Sequence, residues 1–559
     1  MPSFRTGTDD FKKLRDQGGY FVDKSPLIRS VLDSSEVTLI PRPRRFGKTL
    51  HMTMLRYFFE KSAEDRRPLF DGLAITDDTD AMGHQGQYPV IYLSLKDIKG
   101  ASWEVAQDKL LERLSALHKR HDFLLDTLAT DDRESYEKVI ARCGSIADNE
   151  LSLKKLIAHL QAYHNQPVVV LIDEYDSPVI EAWRNGYYDE MIAFMRSWLG
   201  GGLKHEEGGA LFRGVVTGIL RVARESIFSG LNNLDVASLL SSGPFANKFG
   251  FTEPELAQVL TDFDAEDLAG PMREWYNGYQ FGPHTIYNPW SVICAISKRP
   301  DPIGPHWLNT ASNDLIYAEL ESGGLPLKRE LEQLLAGEEL RRELHEHTIF
   351  SDVGKSAEHI WSFLVFSGYL KATDPQPDPR RPTRQRYHLS IPNLEVSIAF
   401  EQFVEHWHRS LSFTATEQLL DVLLDSNWPR LQDLLSELAA RLLSCHDVAK
   451  LPEAVFHAFV LGLLAHLRQI YEIRSNVESG YGRADILMRP KTVAYPLAFI
   501  IEFKAIKGDA DSAIATTEAL AQIESRDYEA SLLEAGVSPE HIRKLAIVVA
   551  GKHVTVTQG

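Results

Sequence analysis

Two groups of residues in this 559-residue chain have the types and spacing to do chemistry. The first is Gly47-Lys48-Thr49, which follows Arg42-Pro43-Arg44-Arg45-Phe46. In a phosphate-binding loop, backbone N–H groups and the positive end of the next helix cradle the phosphates. A Lys reaches the β/γ oxygens, and a Ser/Thr hydroxyl completes a Mg²⁺ shell. Arg44, Arg45, Phe46, Gly47, Lys48 and Thr49 are therefore the expected nucleotide contacts. The common spacing GxxxxGK[ST] has glycine where Arg42 stands, and Pro43 removes a backbone donor, so this loop departs from the usual form. Asp173-Glu174 ends an apolar run. An acid there can hold Mg²⁺, and its neighbour can polarise the water that attacks a γ-phosphate. Thr217 ends another such run and is placed to sense the phosphate or the water, while Arg221 and Arg224 are open equally to a sensor or finger role and to surface ion pairs. The second group is Asp485 with Glu502-Phe503-Lys504, where a period of two puts Glu502 and Lys504 on one strand face and Phe503 in the core.

Regular elements must hold these groups in place. Residues 37–40 read as the strand before the loop, and Leu50, Met54, Leu55, Phe58 and Phe59 recur at helical spacing after it. Further strands are expected at 88–95, 167–172 and 212–218, with helices at 103–117 and 151–163 between them. The near-continuous apolar run 167–172 suits a parallel strand buried on both faces. Strands alternating with helices predict a parallel α/β sheet with its ligands at the strands' carboxyl ends. Residues 249–345 are aromatic and turn-rich and read as a helical lid. The stretches 363–371 and 387–391 bracket a Pro/Arg loop with Arg380, Arg381, Arg384 and Arg386, which suits a winged-helix hairpin with a basic wing and at least as well a solvated loop. A leucine pattern over 416–443 makes one helical linker. The end of the chain reads as helix 452–467, strands 470–475, 483–488 and 497–506, helix 511–532 and strand 545–550. The expected domains are 1–248, 249–345, 346–445 and 446–559, a multidomain α/β chain.

Tyr20-Phe21-Val22-Asp23-Lys24, the loop 42–49, the stretch 171–176, Thr217-Gly218-Ile219-Leu220-Arg221 and Phe228-Ser229-Gly230-Leu231-Asn232-Asn233 together resemble the bacterial AAA-ATPase-like family. In that family an Arg-Pro-Arg-Arg-Phe-Gly-Lys loop replaces the common one, so the resemblance implies a P-loop ATPase domain of AAA+ or STAND-like kind that uses ATP and Mg²⁺. Asp485 and Glu502-x-Lys504, with Glu453 upstream, resemble the PD-(D/E)XK nuclease superfamily, a restriction-endonuclease-like α/β fold. That resemblance implies Mg²⁺ held by Asp485, Glu502 and the Phe503 carbonyl, with Lys504 orienting or activating the water and Glu453 adding a further contact. Gln522 and Tyr528 match the family's Gln-Ile-x₄-Tyr run, which implies a place lining the groove, whereas Arg483-Ala484-Asp485 lacks the superfamily's proline.

Composition sets the limits. A formal net charge of −18 argues against coating nucleic acid by bulk electrostatics, so any such contact is local. The start lacks the apolar core of a signal peptide, and His457 and His466 interrupt the longest apolar stretch, which reads as a core helix and not a membrane span. Cys143, Cys294 and Cys445 lie far apart without metal spacing, and a reducing cytoplasm is the simplest setting. The leading expectation is an ATP-binding and ATP-hydrolysing protein with a metal-dependent nuclease acting on DNA before RNA, with a homo-oligomer left open. The alternative is a nucleotide-switched binding or signalling module whose nuclease-like domain holds nucleic acid or protein without cutting.

Overall fold

The computed structural model describes residues 3–559 except 205–208, 221–226, 229, 308–323, 336, 347–356, 380, 409–413, 443–459, 462–463, 465–466, 469, 480–481, 493, 507–511, 526–527 and 551–552. The chain forms two compact units, one of Met1–Gly323 with Arg341–Val396 and the other of Gly324–Leu340 with Ser397–Gly559.

In the first unit five parallel strands form one sheet: β1 (Val37–Pro41), β2 (Val90–Ser94), β3 (Val168–Asp173), β4 (Leu211–Gly218) and β5 (Leu234–Val236), ordered β2-β3-β4-β1-β5. The sheet is the one the sequence predicts, with a short edge strand, β5, added beyond β1. Every residue of β3 is buried, and the helices Lys48–Phe59 and Ser152–His164 both pack on it. The order puts β4 between β1 and β3, so three carboxyl ends lie side by side.

The stretch before β1 ties into the region that follows the sheet. Lys24 is buried, its Nζ donating to both carboxylate oxygens of Glu255 at 2.7 Å and to Asn247 O at 2.9 Å, and Tyr20 donates to Asp262. Glu255 and Asp262 belong to the helix Glu253–Asp262, which Thr252 opens with a capping box. The expected lid is not purely helical, since β6 (Tyr279–Phe281) and β7 (His284–Ile286) form an antiparallel hairpin within it. Further on, the helix Ala357–Ser367 leads into β9 (Lys371–Asp378) and β10 (Arg381–Ser390), which join β8 (Leu340–Glu343) in the order β8-β10-β9.

The second unit is built on the sheet β11 (Tyr471–Ser479), β12 (Gly482–Pro490), β13 (Ala498–Ile506), β14 (Ile542–Ala550) and β15 (His553–Gln558), hydrogen-bonded in chain order. Only β13 and β14 pair in parallel, and the helix Ser512–Ser525 makes their crossover. One face buries Ile473, Ile486, Met488, Ile501, Phe503 and Ile547 with leucines of the helices Thr414–Leu424 and Trp428–Leu442. The other buries Leu487, Ala498 and Ile500 with Ile523, Tyr528 and Leu532. Two long helices expected from periodicity are each broken. The run 416–443 divides at Ser426, φ 52°, because Pro429 opens a new helix and Asn427 Oδ1 accepts from Arg430 N. The run 511–532 divides after Ser525, which lets the buried Tyr528 bring its hydroxyl to Gln522.

Candidate functional site

At the end of β1 the chain turns through residues 42–47 into the helix Lys48–Phe59, with Arg45 at φ 68° and Gly47 at φ 82°. Gly47 takes this left-handed conformation without a Cβ penalty, directly before the helix's unpaired amides. Lys48 is buried, its Nζ donating to Arg42 O at 3.0 Å and Pro43 O at 2.9 Å. Burial lowers its pKa, while Glu174, Asp173 and Asp176 pull it upward. Thr49 Oγ1 donates to Asp173 Oδ2 at 2.7 Å, and Thr217 Oγ1 donates to Asp173 Oδ1 at 2.6 Å. One carboxylate thus joins the loop helix, β3 and β4. Asp173 is 1% exposed, and burial raises its pKa against the lowering effect of the two hydroxyls. Glu174 follows in left-handed backbone, φ 53°, its Oε2 accepting from Ser177 Oγ at 3.0 Å. A carboxylate with a hydroxyl beside it at a helix head is a hard oxygen donor set, which fits Mg²⁺ next to bound phosphates.

Most other side chains of the loop are committed to packing. Arg42 is 1% exposed: its guanidinium donates to Pro41 O and Ala237 O at 2.7 Å and to Phe245 O at 3.0 Å, and it lies over the rings of Phe249 and Phe281. Burial lowers its pKa to about 9. Pro43 packs so closely on Gly368 that a Cβ there would lie 2.9 Å from Pro43 Cβ. The Arg45 guanidinium stacks 4.4 Å from the Trp290 ring centroid, and Phe46 is fully buried between Tyr279 and Phe281. Phe46 is therefore a core residue, its ring closed off from any ligand. Arg44 is half-buried and close enough to Lys48 to lower its pKa.

The second group lies on one face of the other sheet. Ile486 pairs with Ile501 and Leu487 with Ile500, and continuing that register sets Asp485 opposite Glu502. Phe503 N donates to Asp485 Oδ2 at 2.8 Å, while the Phe503 ring is buried in the core. Glu502 is 2% exposed and accepts from Gln522 Nε2 at Oε1. Lys504 Nζ donates to Gln522 Oε1 at 3.1 Å and stands 4.0 Å from Glu502 Oε1. Gln522 Nε2 also reaches Tyr528 OH at 3.3 Å, so one amide joins the acid, the lysine and the tyrosine. Among the described residues no three His, Cys, Asp or Glu side chains converge as a metal cluster. The donor set is two carboxylates on neighbouring strands with a lysine 4.0 Å from one of them, which fits a hard cation that keeps part of its water shell. Glu453, Arg221, Arg224 and Arg380 lie outside the described residues.

Two further residues hold the site in ways that their local sequence does not announce. Asp176 is buried and accepts from Ile219 N and Leu220 N, and burial raises its pKa to about 6. Its only signal was a third acid in Asp173-Glu174-Tyr175-Asp176. Arg42 stands where the common loop has glycine, and nothing local announces a buried guanidinium.

Comparison with known proteins matches residues 5–228 to the family described as predicted AAA-ATPase, and residues 451–559 to the PD-(D/E)XK nuclease superfamily. The chain is similar to an uncharacterized protein in the vnfD 5' region of Azotobacter chroococcum mcd 1, 25% identical over 515 residues, which cover 90% of this chain and 89% of the relative. A crystal structure of Cdc6p from Pyrobaculum aerophilum aligns over 74% of this chain and 97% of its own at 11% identity, but a TM-score of 0.25 is too low to support an argument. The chain thus carries an AAA-ATPase-like domain over residues 5–228 and a domain of the PD-(D/E)XK nuclease superfamily over residues 451–559.

Proposed function

We propose that residues 1–248 bind and hydrolyse ATP with Mg²⁺, that 249–345 act as a lid and 346–445 as a winged, linking region, and that 446–559 cleave phosphodiester bonds in DNA with a divalent ion. The observation that carries the first part is the joint grip of Thr49 and Thr217 on Asp173 beside Lys48. Lys48 would exchange its loop carbonyls for phosphate oxygens, Thr49 and Asp173 would hold the metal, and Glu174 would orient the attacking water. Bound there, Mg²⁺ supplies charge that offsets the β- and γ-phosphates.

The cleavage reading is supported by Asp485 opposite Glu502 with Lys504 on the same face. Two acids that converge on one strand face repel unless a cation or proton lies between them, and Lys504 answers only part of that charge. A divalent ion would supply the rest and act as Lewis acid at phosphorus. Lys504 orients the water and stabilises charge on the phosphorane, and Gln522 keeps its ammonium beside the acids. Incubating the full chain with plasmid, Mg²⁺ or Mn²⁺ and ATP should yield cut DNA and released phosphate. ATP turnover without cutting of plasmid, linear or single-stranded DNA by either ion would instead favour a nucleotide-switched binding module.

A further inference from the structure

Glu174 stands in a conformation that a glutamate does not adopt by preference. Left-handed backbone on a residue with a Cβ costs about 1 kcal/mol or more and persists only where its surroundings over-determine it. Those surroundings are the next two residues. Tyr175 N donates to Thr217 O at 3.0 Å, and Tyr175 OH donates to Leu220 O at 2.9 Å. Asp176 Oδ2 accepts from Ile219 N at 2.8 Å and from Leu220 N at 2.9 Å. The turn after β3 thereby grips the end of β4 at Thr217, Ile219 and Leu220. Gly218 lies inside the grip: a Cβ there would fall 2.5 Å from Asp176 Oδ1 and 2.8 Å from Tyr175 Cε1, so only glycine lets the two segments close. The phosphate loop joins from the other side, as Arg42 N donates to Gly218 O at 3.0 Å.

We propose that Asp176 is a positioning residue, whose buried carboxylate clamps the end of β4 to the turn after β3 and so fixes Glu174 and Thr217 relative to each other in the nucleotide site. The inference rests on the ATPase reading above and adds to it the residue that sets the geometry of the water-orienting acid. Among the described residues Asp176 makes no hydrogen bond with the loop's Lys48 or Thr49, though its charge reaches Lys48, so its main effect is expected on turnover and only a small one on nucleotide affinity. A carboxylate oxygen with two backbone donors is the needed feature, and an asparagine side-chain oxygen can supply it.

The test is ATP hydrolysis by the full-length chain as wild type, Asp176→Ala, Asp176→Asn and Tyr175→Phe, with melting temperature and nucleotide affinity measured alongside. Asp176→Ala should lower kcat about tenfold or more while KM stays within about threefold, because the loss falls on the transition state. Asp176→Asn should recover most of that loss, and Tyr175→Phe, which deletes one bond of the grip, should fall between wild type and the alanine variant. Should Asp176→Ala fail to fold, the asparagine and phenylalanine variants decide: a larger kcat loss for Asp176→Asn than for Tyr175→Phe overturns the proposal. It is also overturned if Asp176→Ala turns over at the wild-type rate, or if KM rises with kcat unchanged. Absence of turnover in wild type that still binds nucleotide would overturn the ATPase reading and this inference with it, whereas normal wild-type turnover isolates Asp176.

Discussion

At the residue scale, Lys48 and Glu174 occupy the same edge of the sheet but serve different stages of the proposed reaction. If Lys48 contacts ground-state phosphates as proposed, Lys48→Ala should abolish nucleotide binding by calorimetry. Glu174 serves the attacking water, so Glu174→Gln should bind ATP normally and lose hydrolysis by about a hundredfold or more. Equal hydrolysis by Glu174→Gln and wild type would remove Glu174 from the mechanism. Glu395 offers a separate test, of stability. It is fully buried, accepting from Ser291 Oγ at 2.8 Å, His306 N at 2.5 Å and Trp307 N at 2.7 Å, yet burial outweighs these donors and raises its pKa to about 7. The folded chain then holds this proton more tightly than the unfolded chain. Its contribution is fully present below the ordinary glutamate pKa, declines as pH rises from there to about 7 and is gone above it, an effect on the order of 3 kcal/mol. Glu395→Gln should flatten that part of the slope when melting temperature is followed from pH 5 to pH 8. An unchanged slope would mean that Glu395 is ionised throughout.

At the element scale, the phosphate loop and the β9–β10 hairpin show how local chemistry is modified by what packs on it. The departures from GxxxxGK[ST] coincide with contacts outside the loop: Arg42 to the carbonyls of Ala237 and Phe245, Pro43 to Gly368, Arg45 to Trp290 and Phe46 to the β6–β7 hairpin. A loop held by its own side chains does not need the flexibility that a leading glycine provides. In the basic hairpin, Arg381, Arg384 and Gln385 are exposed, but Arg384 pairs with Glu343 at 2.8 Å and Arg386 donates to Arg341 O at 2.7 Å. Exposed pairs of this kind contribute little to stability, so the guanidiniums can exchange an acid or carbonyl for a phosphate at low cost. If this wing touches DNA, replacing Arg381, Arg384 and Arg386 with alanine should reduce the slope of log K against log salt by about one unit per lost contact. A triple variant with the wild-type slope would leave the hairpin as solvated surface.

At the scale of the whole molecule, the two candidate sites belong to different compact units, the loop and its acids to the first and Asp485, Glu502 and Lys504 to the second. Substitutions in separate compact units that share no partners act nearly independently. Asp485→Ala and Lys504→Ala should therefore remove DNA cleavage while ATP turnover stays within about twofold of wild type. Asp485→Ala should also abolish calorimetric binding of Mn²⁺ to the second unit, a readout independent of cutting. Retained Mn²⁺ binding in Asp485→Ala would place the ion elsewhere. No helix among the described residues is long and apolar enough to cross a membrane.

The strands of both sheets that carry the candidate residues were legible because their signals are local. A run such as 167–172 records burial on both faces, and alternation through Glu502, Phe503 and Lys504 records which side chain turns inward. The loop, the acids after β3 and the acid-and-lysine pair were legible for the same reason. Partnership was not, because it depends on chain order in space. Thr49 and Asp173 lie 124 positions apart and meet because parallel β1 and β3 end at the same edge of one sheet, with β4 between them. The short β5 and the terminal β15 become strands by pairing with neighbours, β5 with β1 and β15 with β14. Asp176 and Arg42 read as an extra acid and a missing glycine until the fold buried both against backbone groups of distant segments, where an unpaired charge or amide is costly and each can satisfy the other.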